Sequence, residues 1–255
     1  MRESRFGPVA QRIVRVLSQR SAGVDGGLVS VSRHYYDEQT YNVMSRVLRP
    51  DSNCLDIGCH RGEILRDMLH FAPDGTHIGF EPIPSLYREL VASFDAMPLV
   101  SFVHCALSEA DGVTTFQHVR TNPGYSGMRR RQYDRDERVR EIEVPMRMLD
   151  RVIPGDARVD FMKIDVEGAE LQVLRGAVRT IARCRPTIVF EHGLGAADYY
   201  GTTPEMVFDL LVDECGLRIF VMADWLQSAV EKPLDRSGFV DQFMSQRNYY
   251  FMATP

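Results

Sequence analysis

The sequence predicts an α/β fold in which a mostly parallel sheet of seven strands carries helices on both faces. Two observations support this prediction. From residue 53 onward, short apolar runs alternate with segments whose apolar residues recur at helical spacing, which is typical of a parallel sheet covered on both sides. The 255 residues, 44% hydrophobic and 25% charged, are also enough to build one large core without metals or disulfides.

Each element of this fold is placed by its own local pattern. The strands are predicted over residues 54–57, 77–80, 100–104, 159–164, 187–190, 217–222 and 249–252. Helices are predicted over residues 63–71, 85–94 and 169–182, and the last places four apolar side chains on one face: Leu171, Leu174, Val178 and Ile181.

The first fifty residues are predicted to form an N-terminal helical cap beside a main domain of residues 51–255. Apolar residues recur at helical spacing in two segments, Val9, Ile13, Val16 and Leu17 in the first and Tyr41, Met44 and Leu48 in the second. Pro50 ends the second segment. The apolar faces of these helices need cover, which either an intramolecular contact or a homo-oligomer would provide.

An insertion is predicted between the third and fourth strands, from residue 105 to about 150. Alternating residues over 112–117 and 141–144 indicate two strands around a glycine-containing turn and a stretch with six arginines and three acids over 129–140. Two interpretations stay open for this stretch. It forms a solvated loop, or it forms a lid in which Arg130 binds a negatively charged group of a substrate and Tyr125 packs on a sugar or aglycone.

Charge and composition exclude several classes of protein. A formal net charge of -5 argues against a surface built to bind nucleic acid throughout. No apolar run approaches the roughly 18 residues needed to span a bilayer, and no apolar signal core follows the N-terminus, so we expect a cytoplasmic protein without membrane contact. Five cysteines without a Cys-x-x-Cys pair predict neither a disulfide framework nor a zinc cluster.

The first candidate site is the turn after the predicted strand 54–57, where Asp56, Gly58 and Gly62 precede a helix. Such a turn lets a ligand approach backbone N–H groups at a helix N-terminus. The dinucleotide fingerprint Gly-x-Gly-x-x-Gly requires a glycine at position 60, where this chain has His60, so a nicotinamide cofactor is disfavoured. Asp56 either orders the loop or pairs with an ammonium group of the ligand.

The second candidate site is Glu81, which ends the next strand and is followed by Pro82. A carboxylate at this position accepts hydrogen bonds from both hydroxyls of a ribose in dinucleotide-binding folds. The alternative interpretation is a solvated or helix-capping acid. Together with the first turn, Glu81 describes a site for a nucleoside that bears an amino acid, which is S-adenosylmethionine.

The third candidate site follows the strand 159–164, where Asp165 and Glu167 precede a helix. Ligands of open α/β sheets lie outside the carboxyl ends of the strands, so both acids are predicted site residues, Glu167 facing the substrate. A base that removes a hydroxyl proton has three candidates: His192, Asp165 and His60. Glu191, next to His192, is predicted to act with them. These acids can also hold a divalent cation such as Mg²⁺, but their spacing does not indicate one.

Four stretches carry a resemblance to a known family. They are Asp-Ile-Gly-Cys-His-Arg-Gly over residues 56–62, Gly-Phe-Glu-Pro over 79–82, Ala-Leu-Ser over 106–108 and Lys-Ile-Asp-Val-Glu-Gly-Ala-Glu over 163–170. The chain resembles the FkbM family of S-adenosylmethionine-dependent methyltransferases over roughly residues 50–195. The resemblance implies a Rossmann-like class I methyltransferase that methylates a hydroxyl of a sugar, a polyketide or another secondary metabolite.

The resemblance also implies a role for single positions. The methionine end of the cofactor is assigned to Asp56, Gly58 and Gly62, the ribose to Glu81, and the adenine to Ala106 and Leu107. His60 and His104 stand where the family commonly has asparagine. Two rival functions stay open: an RNA methyltransferase that uses the arginine stretch, and a binding protein that holds the cofactor without turnover.

Overall fold

The computed structural model of the chain describes residues 35–133, 135–228 and 232–255. The predicted helical segment around Val9, Ile13, Val16 and Leu17 lies outside these residues. Ten strands are found in the described ranges: β1 (Cys54–Ile57), β2 (His77–Phe80), β3 (Val100–Val103), β4 (Ala106–Leu107), β5 (Gly112–Val119), β6 (Val139–Arg147), β7 (Phe161–Ile164), β8 (Thr187–Glu191), β9 (Arg218–Phe220) and β10 (Tyr250–Thr254).

Seven of these strands form one sheet in the order β3-β2-β1-β7-β8-β10-β9. The pairs from β3 to β8 are all parallel, whereas β10 runs antiparallel to both of its neighbours. Strands β1 and β7 are buried along their whole length, as expected for central strands of a sheet covered on both faces. The predicted mostly parallel sheet of seven strands is confirmed.

Nine α-helices lie within the described residues: α1 (Tyr35–Val47), α2 (Glu63–Phe71), α3 (Pro84–Ser93), α4 (Leu149–Val152), α5 (Glu170–Arg175), α6 (Val178–Cys184), α7 (Pro204–Phe208), α8 (Met222–Gln227) and α9 (Arg236–Met244). A π-helical stretch, Asp209–Glu214, continues α7. Helix α1, which covers much of the second predicted N-terminal segment, packs on α2 and α8. Helix α8 also shortens the predicted strand 217–222, which ends at Phe220.

The helix predicted over residues 169–182 is two helices, α5 and α6. Gly176 is the C-cap of α5, and its backbone lies against Ser108, so that a Cβ on Gly176 would stand 2.0 Å from the Ser108 carbonyl oxygen. This close approach requires glycine at the position, and the helix axis breaks there. The apolar periodicity of the segment continues through the break because both helices bury the same side.

The predicted insertion forms a second, three-stranded sheet in the order β4-β6-β5. Strands β5 and β6 pair antiparallel from Gly112 to Val119, which extends both predicted strands. A short 3₁₀ helix, Pro123–Tyr125, lies in the connection between them. Within the described ranges, no helix is both long and apolar enough to cross a lipid bilayer.

Candidate active site

A cavity of about 380 Å³ opens at the carboxyl ends of β1, β2 and β7. This is the edge of a parallel sheet at which α/β folds bind ligands. Nine of the predicted site residues line the cavity: Asp56, Gly58, His60, Glu81, Pro82, Ala106, Leu107, Asp165 and Glu167. Five others lie outside its wall: Gly62, Tyr125, Arg130, Glu191 and His192.

The loop after β1 owes its shape to left-handed backbone at Gly58, His60 and Gly62, with φ of 79°, 49° and 76°. Histidine, like asparagine, tolerates this region better than most residues do, which accounts for His60 at a position where the resembling family has asparagine. Gly62 serves packing instead of ligand contact, because a Cβ there would stand 3.0 Å from the side chains of Leu90 and Phe94. The turn predicted from the sequence is therefore present, with Gly62 in a structural role.

Asp56 is a buried carboxylate with 1% of its surface exposed. Neither of its oxygens has a hydrogen-bond partner among the described residues. Burial raises the pKa of Asp56 to about 6, although Lys163 on the neighbouring strand favours the charged form. A buried carboxylate without a partner is costly, and a positively charged ligand group would remove that cost. The position therefore fits the ammonium group of the predicted cofactor.

Glu81 lies on the same cavity, held by two backbone amides. Its carboxylate accepts hydrogen bonds from the N–H of His60 at 3.0 Å and the N–H of Ile83 at 2.8 Å. Burial raises the pKa of Glu81 to about 7, against these hydrogen bonds. An ionised carboxylate has about four acceptor positions, so both oxygens keep capacity for a pair of hydroxyl groups. This arrangement is compatible with the ribose that the sequence analysis assigns to Glu81.

The far wall of the cavity is apolar. Ile83, Ala106 and Phe116 belong to one buried cluster that links α3, β4 and β5, and all three line the cavity together with Leu107. Histidine at position 104 supports this wall, because its ring nitrogen lies 3.0 Å from the carbonyl oxygen of Pro82. An apolar wall of this kind suits an adenine ring.

Asp165 is fixed at the end of β7 by two donors. Lys163 Nζ donates to Asp165 Oδ2 at 2.9 Å, and the hydroxyl of Tyr250 donates to the same oxygen at 2.6 Å. Burial would raise the pKa of Asp165, but Lys163 and Tyr250 hold it below its ordinary value. Asp165 is therefore a charged group, and the pKa of its partner Lys163 is raised in turn by Asp165 and Asp56 despite burial.

Glu167 stands on a strained loop two residues later, with a φ of 60°. Non-glycine residues in this region cluster at functional sites. The buried carboxylate of Glu170 holds the loop, because its Oε1 accepts the N–H groups of Val166 and Gly168, each at 3.1 Å. Burial and nearby acids raise the pKa of Glu167 to about 8, against the attraction of Arg131, which contacts its carboxylate.

Glu191 completes a cluster of three acids with Asp165 and Glu167, whose carboxylate oxygens lie within 4.8 Å of one another. Burial and the two neighbouring acids raise the pKa of Glu191 well above its ordinary value. Lys163 contacts Asp165 and Arg131 contacts Glu167, so side chains already supply positive charge to the other two acids. We assign no metal ligand to this cluster.

The position of His192 does not fit the predicted role of a base. Its side chain is fully buried, with 0% exposure, and stacks on Phe243 and Phe239 with ring centroids 4.6 and 5.8 Å away. Burial lowers the pKa of His192 to about 4, and neither ring nitrogen has a hydrogen-bond partner among the described residues. Successive residues of an extended chain point to opposite faces, so His192 points away from the side to which Glu191 turns.

Arg131 contacts Glu167 of the cavity wall, whereas the predicted Arg130 is exposed. Tyr125 is also outside the cavity wall, and the guanidinium of Arg131 lies 5.7 Å from its ring centroid. Sequence reasoning also missed Tyr250 and two residues that line the cavity, Lys163 and Asp37 of α1. A lysine inside an otherwise apolar strand was a usable signal, whereas Tyr250 acts through a pairing that no local pattern reveals.

Comparisons with known proteins identify the family to which the chain belongs. Residues 56–249 match the family described as Methyltransferase FkbM domain. The chain belongs to the FkbM methyltransferase family. A solved FkbM methyltransferase from Methylobacillus flagellatus KT superposes with a TM-score of 0.51 at 16% identity, covering 84% of this chain and 48% of that one. This likeness shows that the two share a fold.

Two curated proteins are also similar to this FkbM domain. The methyltransferase sdnD of Sordaria araneosa is 28% identical over 152 residues, covering 48% of this chain and 59% of the relative. The 2-O-methyltransferase NoeI of Sinorhizobium fredii is 27% identical over 164 residues, covering 56% of this chain and 64% of the relative. In both cases the chain spans less than two thirds of the relative's length. The predicted family and the Rossmann-like methyltransferase fold are confirmed.

Proposed function

We propose that this FkbM domain uses S-adenosylmethionine to methylate a hydroxyl oxygen of a small molecule or glycan. The observation that carries the proposal is Asp56, a buried carboxylate without a partner on a cavity whose other walls suit a ribose and an adenine. Asp56 would hold the ammonium group, Glu81 the ribose hydroxyls, and Ala106 with Leu107 the base. One ligand accounts for all three walls.

The cofactor supplies an activated methyl group, so the protein's task is mainly alignment of an oxygen nucleophile. Asp165 and Glu167 line the cavity at the end of β7, where the acceptor would lie. Asp165 would contribute fixed negative charge beside the sulfonium, because Lys163 and Tyr250 keep it ionised. Glu191 lies next to these two acids, with a carboxylate oxygen within 4.8 Å of theirs, and its raised pKa favours its neutral form beside them.

Support for an oxygen acceptor comes from the name of one relative, a 2-O-methyltransferase. We extend the proposal to hydroxyls of a sugar, a polyketide or another secondary metabolite, since one wall of the cavity is apolar and another acidic. The acidic cluster would repel nucleic-acid phosphates, so we expect neither RNA as acceptor nor membrane contact.

Cofactor binding is tested by titration calorimetry with S-adenosylmethionine and S-adenosylhomocysteine. We expect wild-type protein to bind both, and Asp56→Asn to bind S-adenosylmethionine about 30- to 100-fold more weakly, since a hydrogen bond to a charged group is worth about 2–3 kcal/mol. Asp209→Asn is the matched control, because Asp209 is exposed and paired with Arg236. Equal affinity of wild type and Asp56→Asn would refute the assignment.

The acceptor class is tested with methyl-labelled cofactor and a panel of methyl glycosides, hydroxylated polyketides and total RNA. We expect label in an O-methyl group of a glycoside or polyketide, identified by NMR. Label in RNA, with binding that falls steeply with salt, would favour the RNA methyltransferase instead. Cofactor binding without label in any pool would favour a noncatalytic binding protein.

A further inference from the structure

Part of the insertion, residues 127–132, is seated on the acidic end of the cavity. We call these residues the Arg131 segment. The hydroxyl of Tyr200 accepts the N–H of Arg129, and the hydroxyl of Tyr199 accepts the N–H of Gln132, both at 3.0 Å. These tyrosines belong to the short 3₁₀ helix Ala197–Tyr200 that follows β8. The segment is therefore fastened on both sides of Arg131.

Between these two anchors, the side chain of Arg131 points to Glu167. One guanidinium nitrogen contacts Glu167 Oε2, and another donates to the carbonyl oxygen of Gly195 at 3.3 Å. The side chains of the pair are only 11% and 18% exposed. An ion pair with so little solvent contact is specific in geometry and costly to break from one side. The pair is a built feature and not a transient surface contact.

The other partner is held just as firmly. Glu167 has left-handed backbone, and Gly168 beside it has a φ of 106° and approaches Ala196, where a Cβ would stand 2.4 Å from the carbonyl oxygen. With this backbone geometry, Glu167 lies on the cavity wall and its carboxylate contacts Arg131. Elements from three parts of the chain thus converge on one carboxylate.

We propose that Arg131 is a positioning residue that orients Glu167 toward the acceptor hydroxyl, and that Glu167 takes the hydroxyl proton during methyl transfer. This inference rests on the proposed function. A bond forms between the acceptor oxygen and the methyl carbon, and the carbon–sulfur bond breaks with its electron pair left on sulfur. The proton of the hydroxyl passes to the Glu167 carboxylate and then to solvent.

Glu167 suits this task better than Asp165 does. One oxygen of Asp165 already accepts two hydrogen bonds, which favour its charged form and make it a weak base. The pKa of Glu167 lies near 8, close to the range in which a general base is most effective. The charged and titratable groups that act on Glu167 are Arg131 and Tyr133 of the insertion, Lys163, Asp165 and Glu170 of the β7–α5 region, Glu191 of β8 and Tyr250 of β10.

The decisive measurement needs no acceptor. Protein with carboxyl-¹³C glutamate, saturated with S-adenosylhomocysteine, is titrated by NMR, and Glu167→Gln identifies the Glu167 signal. We expect Arg131→Gln to move the Glu167 midpoint upward by about one pH unit, a tenfold gain in proton affinity, because Arg131 favours the charged carboxylate. Arg130→Gln is the matched control, since Arg130 is exposed. An unchanged midpoint in Arg131→Gln would overturn the inference.

Turnover provides the second measurement, on the panel member that wild-type protein methylates. Arg131→Gln should lower kcat at least tenfold with cofactor affinity unchanged, and should recover part of that loss at higher pH. Arg131→Lys keeps the positive charge but lacks the planar guanidinium, so its kcat should lie between those of wild type and Arg131→Gln. If Arg131→Gln does not fold, Arg131→Lys replaces it in both measurements. A wild-type kcat in Arg131→Gln at every pH would contradict this inference. Wild-type protein that binds no cofactor would instead contradict the proposed function.

Discussion

Gly58 and Asp165 are in direct contact through their backbones, so that a Cβ on Gly58 would stand 1.9 Å from the Asp165 carbonyl oxygen. The N–H of Asp165 also donates to the carbonyl oxygen of Ile57 at 3.1 Å. The loop that would hold the methionine end of the cofactor and the loop that carries the acids are therefore one packed unit. We therefore expect a substitution in either loop to perturb the structure of the other.

Gly58→Ala tests this contact. The new methyl group meets backbone and the residue keeps a φ of 79°, so we expect a loss of about 3 kcal/mol or more in the free energy of unfolding. Urea denaturation measures the change. Gly155→Ala is the control, since nothing lies within 4 Å of a Cβ there, and it should change stability by less than about 0.5 kcal/mol. A Gly58→Ala protein as stable as the control would contradict the packing.

Asp56→Asn should make the cofactor-free protein more stable at neutral pH. Folding raises the pKa of Asp56 from near 3.8 to about 6, so the folded state binds the proton more tightly than the unfolded state does. The stabilisation that this proton provides is full below pH 3.8 and is lost as pH rises through 6. The asparagine variant does not lose stability in this way, so at pH 7 it should be more stable than wild type by about 3 kcal/mol, and at pH 4 by little. Thermal unfolding at the two pH values measures the difference.

Glu81→Ala and Glu81→Gln should differ in cofactor affinity. The alanine leaves the N–H groups of His60 and Ile83 without their acceptor and removes the ribose ligand, so we expect a loss of at least 100-fold with cooperative unfolding retained. The glutamine keeps one acceptor oxygen and should lose less. Calorimetry with S-adenosylhomocysteine measures both. The control is Glu89→Ala, which removes an exposed ion pair with Arg61 and should bind the cofactor as wild type does. Wild-type affinity in Glu81→Ala would contradict the ribose assignment.

His192→Leu should leave methyl transfer within about threefold of wild type, because His192 is buried against Phe239 and Phe243 outside the cavity wall. The leucine also removes two ring nitrogens that lack partners among the described residues, a change worth about 1–3 kcal/mol in favour of folding. Single-turnover rates and urea denaturation test both statements. A large loss of rate with cofactor affinity intact would restore His192 as a base.

The pH dependence of stability gives a separate test of the same residue. Folding lowers the pKa of His192 to about 4 from an ordinary value near 6.5, because the buried ring is neutral. The stability of the folded protein that depends on this neutral ring is therefore full above pH 6.5 and is lost as pH falls toward 4. We expect the free energy of unfolding of wild-type protein to fall on acidification through this range. The free energy of unfolding of His192→Leu should lack this part of the fall. Parallel stability profiles of the two proteins would contradict the burial of a neutral ring.

The sequence predicted those parts of the fold that depend on local patterns. Apolar runs located the seven strands of the main sheet, and the motifs at the strand ends located nine residues of the cavity wall. The break between α5 and α6 was missed because it comes from the approach of Ser108, which lies far away in sequence. Arg130 was named in place of Arg131 for a similar reason, since contacts with Tyr199 and Tyr200 decide which side chain of the loop turns inward.

The structure argues against His192 as a base for a different reason. A histidine after a strand at the ligand-binding edge fits a catalytic pattern, but the face to which it points depends on strand register. Glu191 pairs with Tyr250 and turns toward the acids, which turns His192 toward α9. The alternation of side chains along a strand would have distinguished Glu191 from His192 if the face of β8 that turns toward the acids had been known.

Strand β10 is the last of the seven strands in chain order, yet it lies inside the sheet between β8 and β9. It carries Tyr250, whose hydroxyl fixes Asp165. Without β10, strand β8 would lack its neighbour on that side and Asp165 would lack one of its two donors. One strand therefore completes both the middle of the sheet and the setting of the acidic cluster.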